Sequence, residues 1–232
     1  MRVELEPIFV LHTRPYRDTS LLVDIFSQNY GCLTLVAKGA RKPKQNQRHL
    51  LQPFIPLLAS WQGKSQLKTL IAIEAVADRY NLQGKFLYSG MYANELLSYL
   101  LTSGDAAPDI FKLYHSLLQY LNEKNELEPG LRRFELLLLS ELGYGIDFTS
   151  EAINGDSIQA SQHYGLIVDR GFVAEEYCSD QNPACYSGEQ LLHIAKDQYE
   201  SDEVRRAAKK ITRLALQAHL KGKQLKSREL FR

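Results

Sequence analysis

Alternation of apolar and polar residues marks the first third of the chain. Five short runs, rich in β-branched and aromatic residues and bounded by Gly, Pro, Asn and Asp, have the pattern of half-buried strands. These runs are residues 7–13, 21–27, 33–37, 54–61 and 67–73. Five short strands with turns at short spacing predict a small β-barrel. An OB-fold, an SH3-like barrel and an antiparallel half-sandwich would all produce this pattern.

The apolar period lengthens from two to about 3.6 residues near residues 81–84, which predicts a helical second part. The predicted helices are residues 86–102, a helix opening at Pro108, and residues 131–142, 188–196 and 201–220. The third is apolar almost all round, so we expect it to be the buried spine of its domain. Residues 146–188 look irregular, apart from a predicted hairpin (163–168 and 171–174) that turns at Asp169 and Arg170. The prediction is an α+β chain with domains at 1–80 and 81–232, the second carrying an insertion at 146–188.

The net charge of +1 hides a strong asymmetry along the chain. Residues 1–85 carry +6, residues 86–200 carry −12 and residues 201–232 carry +7. Basic surfaces near both ends favour a polyanion as partner.

The densest positive stretch interrupts the strands as a loop, since Gly39, Pro43 and the amides at 45–47 disfavour regular structure. Its cations are Lys38, Arg41, Lys42, Lys44 and Arg48. A cationic loop between two strands is a candidate phosphate-binding element, and a solvated surface loop is the alternative. Lys64 and Lys68, at the next turn, extend the positive set.

Three aromatic residues lie near these cations and are candidate platforms for stacking bases: Tyr16, Tyr30 and Trp61. Packing in the core is the alternative, and for a lone tryptophan at a strand end it is the commoner outcome.

A second basic patch is predicted at the end of the chain. Arg205, Lys209 and Arg213 recur every fourth residue along the last helix, and residues 221–228 add further lysines and an arginine. These are candidate phosphate contacts, and a solvated helix face is the alternative.

Arg132 and Arg133 stand in the first turn of the apolar third helix. Two guanidinium groups beside unpaired helix N–H groups could bind a carboxylate of an acidic peptide. Alternatively, Glu128 and Glu135, four residues before and three after Arg132, simply neutralise it.

The remaining signals are negative. Cys32, Cys178 and Cys185 give no disulfide framework, and the last two, with His163 and His193, lack the paired spacing of a structural zinc site. We therefore expect no cofactor and regard zinc as unlikely. No catalytic motif is present, so we expect no enzyme. The N-terminus has charges where a signal peptide needs an apolar segment, and no run is long enough to cross a membrane, which predicts a cytoplasmic protein.

Several segments, in order along nearly the whole chain, resemble the bacterial RecO family of recombination mediators, in particular its proteobacterial branch. The segments that carry the resemblance are residues 9–15 (FVLHTRP), 35–41 (LVAKGAR), 51–58 (LQPFIPLL), 87–97 (LYSGMYANELL), 131–135 (LRRFE), 142–145 (LGYG) and 225–231 (LKSRELF).

This resemblance implies an N-terminal OB-fold barrel and a helical domain with a zinc-finger-like insertion. Zinc-binding members hold the metal with four cysteines, whereas only Cys178 and Cys185 lie in this region. It also implies a non-enzymatic role in DNA repair and homologous recombination, acting at the nucleoid: binding single- and double-stranded DNA, annealing complementary strands, and helping to load RecA onto DNA coated by single-strand-binding protein.

The partners that the resemblance implies are DNA, RecR and the acidic C-terminal tail of single-strand-binding protein, with RecA as an indirect partner. The tail site of the family lies in the helical domain, which makes Arg132 and Arg133 the matching candidates. Two other functions stay open: an RNA-binding OB-fold protein of translation, and a pure protein adaptor whose barrel binds no nucleic acid.

Overall fold

The computed structural model describes residues 2–42, 48–65, 67–175 and 185–231. By their contacts these residues form two compact units, Met1–Asn125 with Lys223–Arg232 and Glu126–Gly222. The first unit thus contains the strands of the N-terminal part together with the first two helices. The domain boundary predicted near residue 80 follows the change of apolar period and remains a prediction, because grouping by contacts divides the chain elsewhere.

Five strands of the first unit close into a barrel. They are β1 (Arg2–Tyr16), β2 (Ser20–Ser27), β3 (Gly31–Ala37), β4 (Leu57–Gln62) and β5 (Lys68–Ala75). The order around the barrel is β1-β2-β3-β5-β4, and β3 runs parallel to β5 while the other pairs are antiparallel. A closed five-stranded barrel with this crossover is consistent with an OB-fold. The predicted α+β fold with an N-terminal OB barrel is therefore confirmed.

Alternate side chains of the strands fill the barrel. In β3, Leu33, Leu35 and Ala37 are buried, while the residues between them are half-buried. Val23 and Ile25 of β2 stand opposite Leu35 and Leu33 and belong to the same core cluster. Because side chains alternate across a strand, this register fixes which residues face outward.

Two helices and a short C-terminal segment complete the first unit: α1 (Lys85–Leu100), α2 (Pro108–Asn122) and a 3₁₀ helix (Lys226–Phe231). Phe9 packs edge-on against Tyr114, with ring centroids 5.1 Å apart. The buried Asn94 amide donates to the Leu11 carbonyl at 3.0 Å and accepts from the Tyr114 hydroxyl at 2.5 Å. Burial raises the pKa of Tyr114 well above its usual value, so this hydroxyl keeps its proton.

The second unit combines three helices with a small sheet. The helices are α3 (Leu127–Glu141), α4 (Gly188–Ala195) and α5 (Asp202–His219), and the strands β6 (His163–Ile167), β7 (Gly171–Ala174) and β8 (Cys185–Ser187) have the order β7-β6-β8. The predicted hairpin is confirmed, with Asp169 at φ +65° in its turn. Ser201 caps α5, because its side chain accepts from the Glu203 N–H.

The third helix differs from the prediction in two respects. It begins at Leu127 instead of residue 131, with Pro129 in its first turn. The helix contacts α5, and apolar residues such as Phe134 and Leu138 are buried, whereas Leu137 is 45% exposed. The helix is therefore a core element on one face only. Among the described residues, no helix is both long and apolar enough to cross a membrane.

Candidate nucleic-acid interface

The β1–β2 turn and the start of the β3–β4 loop are joined at one end of the barrel. The Arg41 N–H donates to the Thr19 carbonyl at 2.9 Å, and its guanidinium donates to the Arg17 carbonyl at 3.3 Å. The loop itself turns at Gly39, which has φ +71° and whose carbonyl accepts from the Lys42 N–H. A positive φ of this size suits glycine because it lacks a Cβ. These hydrogen bonds hold the backbone at the start of the loop, which carries Arg41 and Lys42.

Four of the five predicted loop cations lie in the described part of the chain, and their side chains are exposed: Lys38, Arg41, Lys42 and Arg48. None of them forms an ion pair within the described residues. The fifth, Lys44, lies outside the described residues. This end of the barrel therefore presents several solvated positive charges that intramolecular acids do not neutralise.

Arg17 is a cation of this surface that the sequence did not single out. It is exposed in the β1–β2 turn, and its guanidinium carbon lies 5.1 Å from the centroid of the Tyr16 ring. In the sequence Arg17 is followed directly by Asp18, so the local density of positive charge did not mark it as a candidate phosphate contact. The available signal was its position, because the loop between strands 1 and 2 of an OB-fold is one of its binding loops.

Lys64 and Lys68 lie at the β4–β5 connection. Lys64 is exposed in the turn, and Lys68 is half-buried at the start of β5, opposite Leu35 of β3. In OB-folds this connection and the β1–β2 turn flank the face of strands 2 and 3. Both predicted lysines therefore lie at the edge of the usual binding face, beside a strand whose end carries Lys38.

The aromatic residues predicted as candidate platforms for stacking bases differ in their exposure. Trp61 is 1% exposed within the barrel core, and Tyr30 packs edge-on against it at 5.5 Å between centroids. The packing alternative is therefore confirmed for Trp61, which cannot stack on a base from this position. Tyr16 is half-buried beside Arg17 and keeps part of its ring at the surface.

On α5 the predicted cations have unequal surroundings. The Arg205 guanidinium donates to the carbonyls of Tyr199 and Glu200, at 2.6 and 2.9 Å, and pairs with Asp202. Lys209 donates to Glu128 at 2.9 Å. Three further exposed cations have no ion pair in the part of the helix and its surroundings that the structure describes: the predicted Arg213, and Arg206 and Lys210, which the sequence analysis did not select.

Arg132 is not placed as a binding residue would be. It is 5% exposed, and its guanidinium donates to the Thr212 hydroxyl at 3.0 Å and to Glu135 at 3.1 Å. The geometry thus favours the alternative in which neighbouring glutamates neutralise this arginine. Arg133 is exposed on the surface and pairs with Asp197. The predicted carboxylate site is left with one accessible guanidinium, and binding of a peptide there stays a prediction.

Of the cysteine and histidine candidates for a metal site, Cys185, His163 and His193 lie in the described part of the chain. In the residues that the structure covers, no three His, Cys, Asp or Glu side chains are grouped to hold a metal ion. Cys178 lies outside those residues, and the absence of zinc at the insertion stays a prediction from the sequence. Cys32 lies in the barrel, where burial and, to a smaller extent, Asp24 raise the pKa of its thiol to about 12. This thiol is therefore not activated as a nucleophile.

Comparison with known proteins decides the family. The model of the Recombination protein O N-terminal domain matches residues 1–79, and that of the Recombination protein O C-terminal domain matches residues 83–229. This chain belongs to the RecO family. The DNA repair protein RecO of Cellvibrio japonicus is 43% identical over 232 residues, which cover 100% of this chain and 98% of that protein.

Other relatives with the same name agree over similar lengths. RecO of Haemophilus influenzae (strain 86-028NP) is 45% identical, with 100% of this chain and 97% of that protein covered. RecO of Vibrio cholerae (strain O395) is 43% identical, with 98% and 93% covered. The resemblance to RecO proteins, including the proteobacterial branch, is thereby confirmed, and the match extends over both units of the chain.

Proposed function

We propose that this chain is a non-enzymatic mediator of DNA repair and homologous recombination, in the RecF pathway, that binds single- and double-stranded DNA. The observation that supports this best is the end of the OB barrel, where Arg17, Lys38, Arg41 and Lys42 are exposed without ion pairs in the described residues. Membership of the RecO family adds the DNA repair role that its relatives carry in their names.

Binding of this type is electrostatic and independent of base sequence. Each phosphate that a lysine or arginine neutralises releases counterions, so affinity falls as salt rises. Five such contacts on a single strand predict a slope of log K against log[salt] of roughly −3.5, at about 0.7 per contact. Neutralising two strands on one surface reduces the repulsion between them, and this is how the protein would anneal complementary strands.

The partner assignments rest on the family alone. We propose that the chain acts with RecR, binds the acidic tail of single-strand-binding protein, and helps RecA to replace that protein on single-stranded DNA. For the tail, Arg133 is the accessible member of the predicted pair, because Arg132 is buried in its ion pair with Glu135. Arg133→Ala should weaken binding of an acidic peptide ending in a free carboxylate without changing DNA affinity.

The test is a strand-annealing assay with two complementary oligonucleotides, with and without single-strand-binding protein. The variant Arg41→Glu/Lys42→Glu should lose roughly tenfold in affinity for single-stranded DNA at low salt, show a shallower salt dependence, and anneal more slowly. The matched control is Lys112→Glu/Lys124→Glu, which makes the same change in net charge at exposed positions of the same unit, in and just after α2.

Two results would contradict the proposal. Unchanged DNA affinity and annealing in the loop variant would leave a protein adaptor whose barrel binds no nucleic acid. Stronger binding of structured RNA than of single-stranded DNA, in direct competition, would favour an RNA-binding protein of translation.

A further inference from the structure

A cavity of about 790 Å³ opens in the first unit between β1, α1 and the C-terminal 3₁₀ helix. Its walls include Leu11, Met91, Tyr99 and Leu230. Met91 is 41% exposed and Leu230 is 43% exposed, so two large apolar side chains that would ordinarily be covered face the same opening. An exposed methionine side chain is flexible and polarisable, so it adapts to the shape of apolar groups that pack against it.

Two of the three acids in the walls, Asp24 and Glu95, already accept hydrogen bonds, which argues against a basic ligand. Asp24 accepts from Arg14 at 3.0 Å and from Thr34 at 2.6 Å. Glu95 accepts from the Lys226 and Ser227 N–H groups, both at 2.9 Å, and from the Ser227 hydroxyl at 2.6 Å. Glu95 thus caps the 3₁₀ helix, and of the acids in the walls only Glu229 remains exposed at the rim.

The cavity is continuous with the cationic end of the barrel along one face of β1. His12, Arg14 and Tyr16 are paired with Asp24, Leu22 and Ser20 of β2. These β2 residues alternate with Val23 and Ile25, which lie in the core, and with Leu21, which packs against it. They therefore point outward together. Arg14 lines the cavity, and Arg17 follows it by three residues, just after the end of β1. At the rise of a strand, the backbones of the two residues are roughly 10 Å apart.

A lysine lies beside the aromatic residue of the cavity wall. The Lys223 ammonium lies 4.7 Å from the centroid of the Tyr99 ring, so a positive charge stands over the aromatic wall. An apolar, partly aromatic cavity with cations at its rim and a cationic surface leading away from it has the composition of a single-strand binding groove. In such grooves the backbone contacts lysine and arginine while bases lie against apolar and aromatic side chains.

We propose that this cavity receives a base of single-stranded DNA whose neighbouring phosphates contact Arg17 and the described cations at the start of the β3–β4 loop, Lys38, Arg41 and Lys42. This inference rests on the proposed function and adds to it a site that discriminates single strands from duplexes. A paired base cannot enter, because its edges and faces are occupied within the duplex, whereas an unpaired base exposes an apolar face.

Filling the cavity tests the proposal. Ser98 is an exposed residue of its α1 wall, and Met91 is a second exposed position on the same helix. Ser98→Trp and Met91→Trp should each lower affinity for an oligothymidylate by roughly tenfold. The same variants should bind an abasic oligomer of equal length, and a duplex, as the wild type does. Ser116→Trp, at an exposed position of α2 that does not line the cavity, is the matched control.

Equal losses for the oligothymidylate and the abasic oligomer, or no loss for either, would overturn the cavity assignment. Loss of binding to an acidic peptide instead of the oligothymidylate would also overturn it and would assign the cavity to a protein partner. These results are separable from the proposed function: if Arg41→Glu/Lys42→Glu weakens DNA binding while the tryptophan variants do not, only the cavity assignment fails.

A measurement on the wild-type protein avoids any effect of substitution on folding. An oligonucleotide carrying 5-iodouracil should cross-link on irradiation to the α1 segment that contains Tyr99. Cross-links that map only to the β1–β2 turn and the β3–β4 loop would overturn the proposal.

Discussion

Two arginines at the end of the barrel, Arg17 and Arg41, and three on the helices of the second unit, Arg132, Arg133 and Arg205, have opposite surroundings. Arg17 and Arg41 are exposed: the Arg41 guanidinium donates to the Arg17 carbonyl, and the Arg17 guanidinium lies over the ring of its neighbour Tyr16. Arg132, Arg133 and Arg205 are each paired with an acid of their own unit. The same residue type therefore provides a solvated surface charge in the first group and an intramolecular ion pair in the second.

The difference follows from where the acids lie. On a helix, an acid three or four residues away lies on the same face, so Arg132 meets Glu135 and Arg205 meets Asp202 by spacing alone. Near the barrel end, Asp24 already accepts from Arg14 and Thr34. A count of positive charge along the sequence cannot distinguish these cases, because it ignores the partners.

The largest expected effect concerns the buried ion pair of the second unit. Arg132→Ala leaves the Glu135 carboxylate, in a residue that is 1% exposed, without its arginine, and this should lower the free energy of unfolding by roughly 3–5 kcal/mol. Arg133→Ala, which removes an exposed ion pair one residue further on, should cost at most about 1 kcal/mol. Urea unfolding of both variants measures the contrast.

Similar small losses in the two variants would mean that Arg132 is no more structural than Arg133. The double variant Arg132→Met/Glu135→Leu provides a further check. It removes both charges together, so it should be more stable than Arg132→Ala.

A smaller effect is expected at alkaline pH from Tyr199, which lies near the same ion pairs. Burial, with a further contribution from Asp197, raises the pKa of its hydroxyl to about 12, against about 10 for an unfolded chain. Between these values the folded protein keeps a proton that the unfolded chain releases. This contribution to stability is complete below pH 10 and is lost as pH rises towards 12, by up to about 1.4 kcal/mol per pH unit.

Tyr199→Phe should therefore lose less stability than the wild type over this alkaline range, as measured by urea unfolding at a series of pH values. Part of the decline should persist, because burial also raises the pKa of Tyr186 to about 12. Parallel curves for the variant and the wild type would show that Tyr199 titrates alike in the folded and unfolded chain.

The smallest expected effect compares two cations of α5. Arg213 is exposed without an ion pair among the residues described, whereas Lys209 is held by Glu128. If availability decides phosphate contact, Arg213→Ala should weaken DNA binding by a few fold and reduce the salt slope by about 0.7. Lys209→Ala should change the affinity by less. The reverse order would show that an intramolecular pair does not remove a cation from DNA binding.

The sequence predicted strands, turns and caps well where the interactions that form them join residues close together in the chain. Period-two alternation located the five strands, and the turn at Asp169 and Arg170 located the later hairpin. Ser201 was recognisable as a helix cap because the cap hydrogen bond spans only two residues. The start of α3 was placed at residue 131, four residues late, because its first turn, residues 127–130, carries little apolar pattern.

The candidate site was predictable only in part. Exposure of Lys38, Arg41 and Lys42 agrees with a loop of high positive charge. Arg17 was missed, because it comes close to Arg41 only in the folded barrel. There β2 leads away from the β1–β2 turn and β3 leads back to it. The opposite error concerned Arg132, whose burial depends on Thr212 of a helix 80 residues away in sequence.

The sequence by itself determined the strands, the helices, the Ser201 cap of α5 and the asymmetry of charge, because each depends on residues within a few positions of one another. Tertiary structure decided which cations remain at the surface, that Trp61 lies in the core, and that Met91 and Leu230 border one cavity. These properties depend on distant segments, since burial and ion pairing are set by whatever packs against a side chain, and that neighbour is fixed only when the chain has folded.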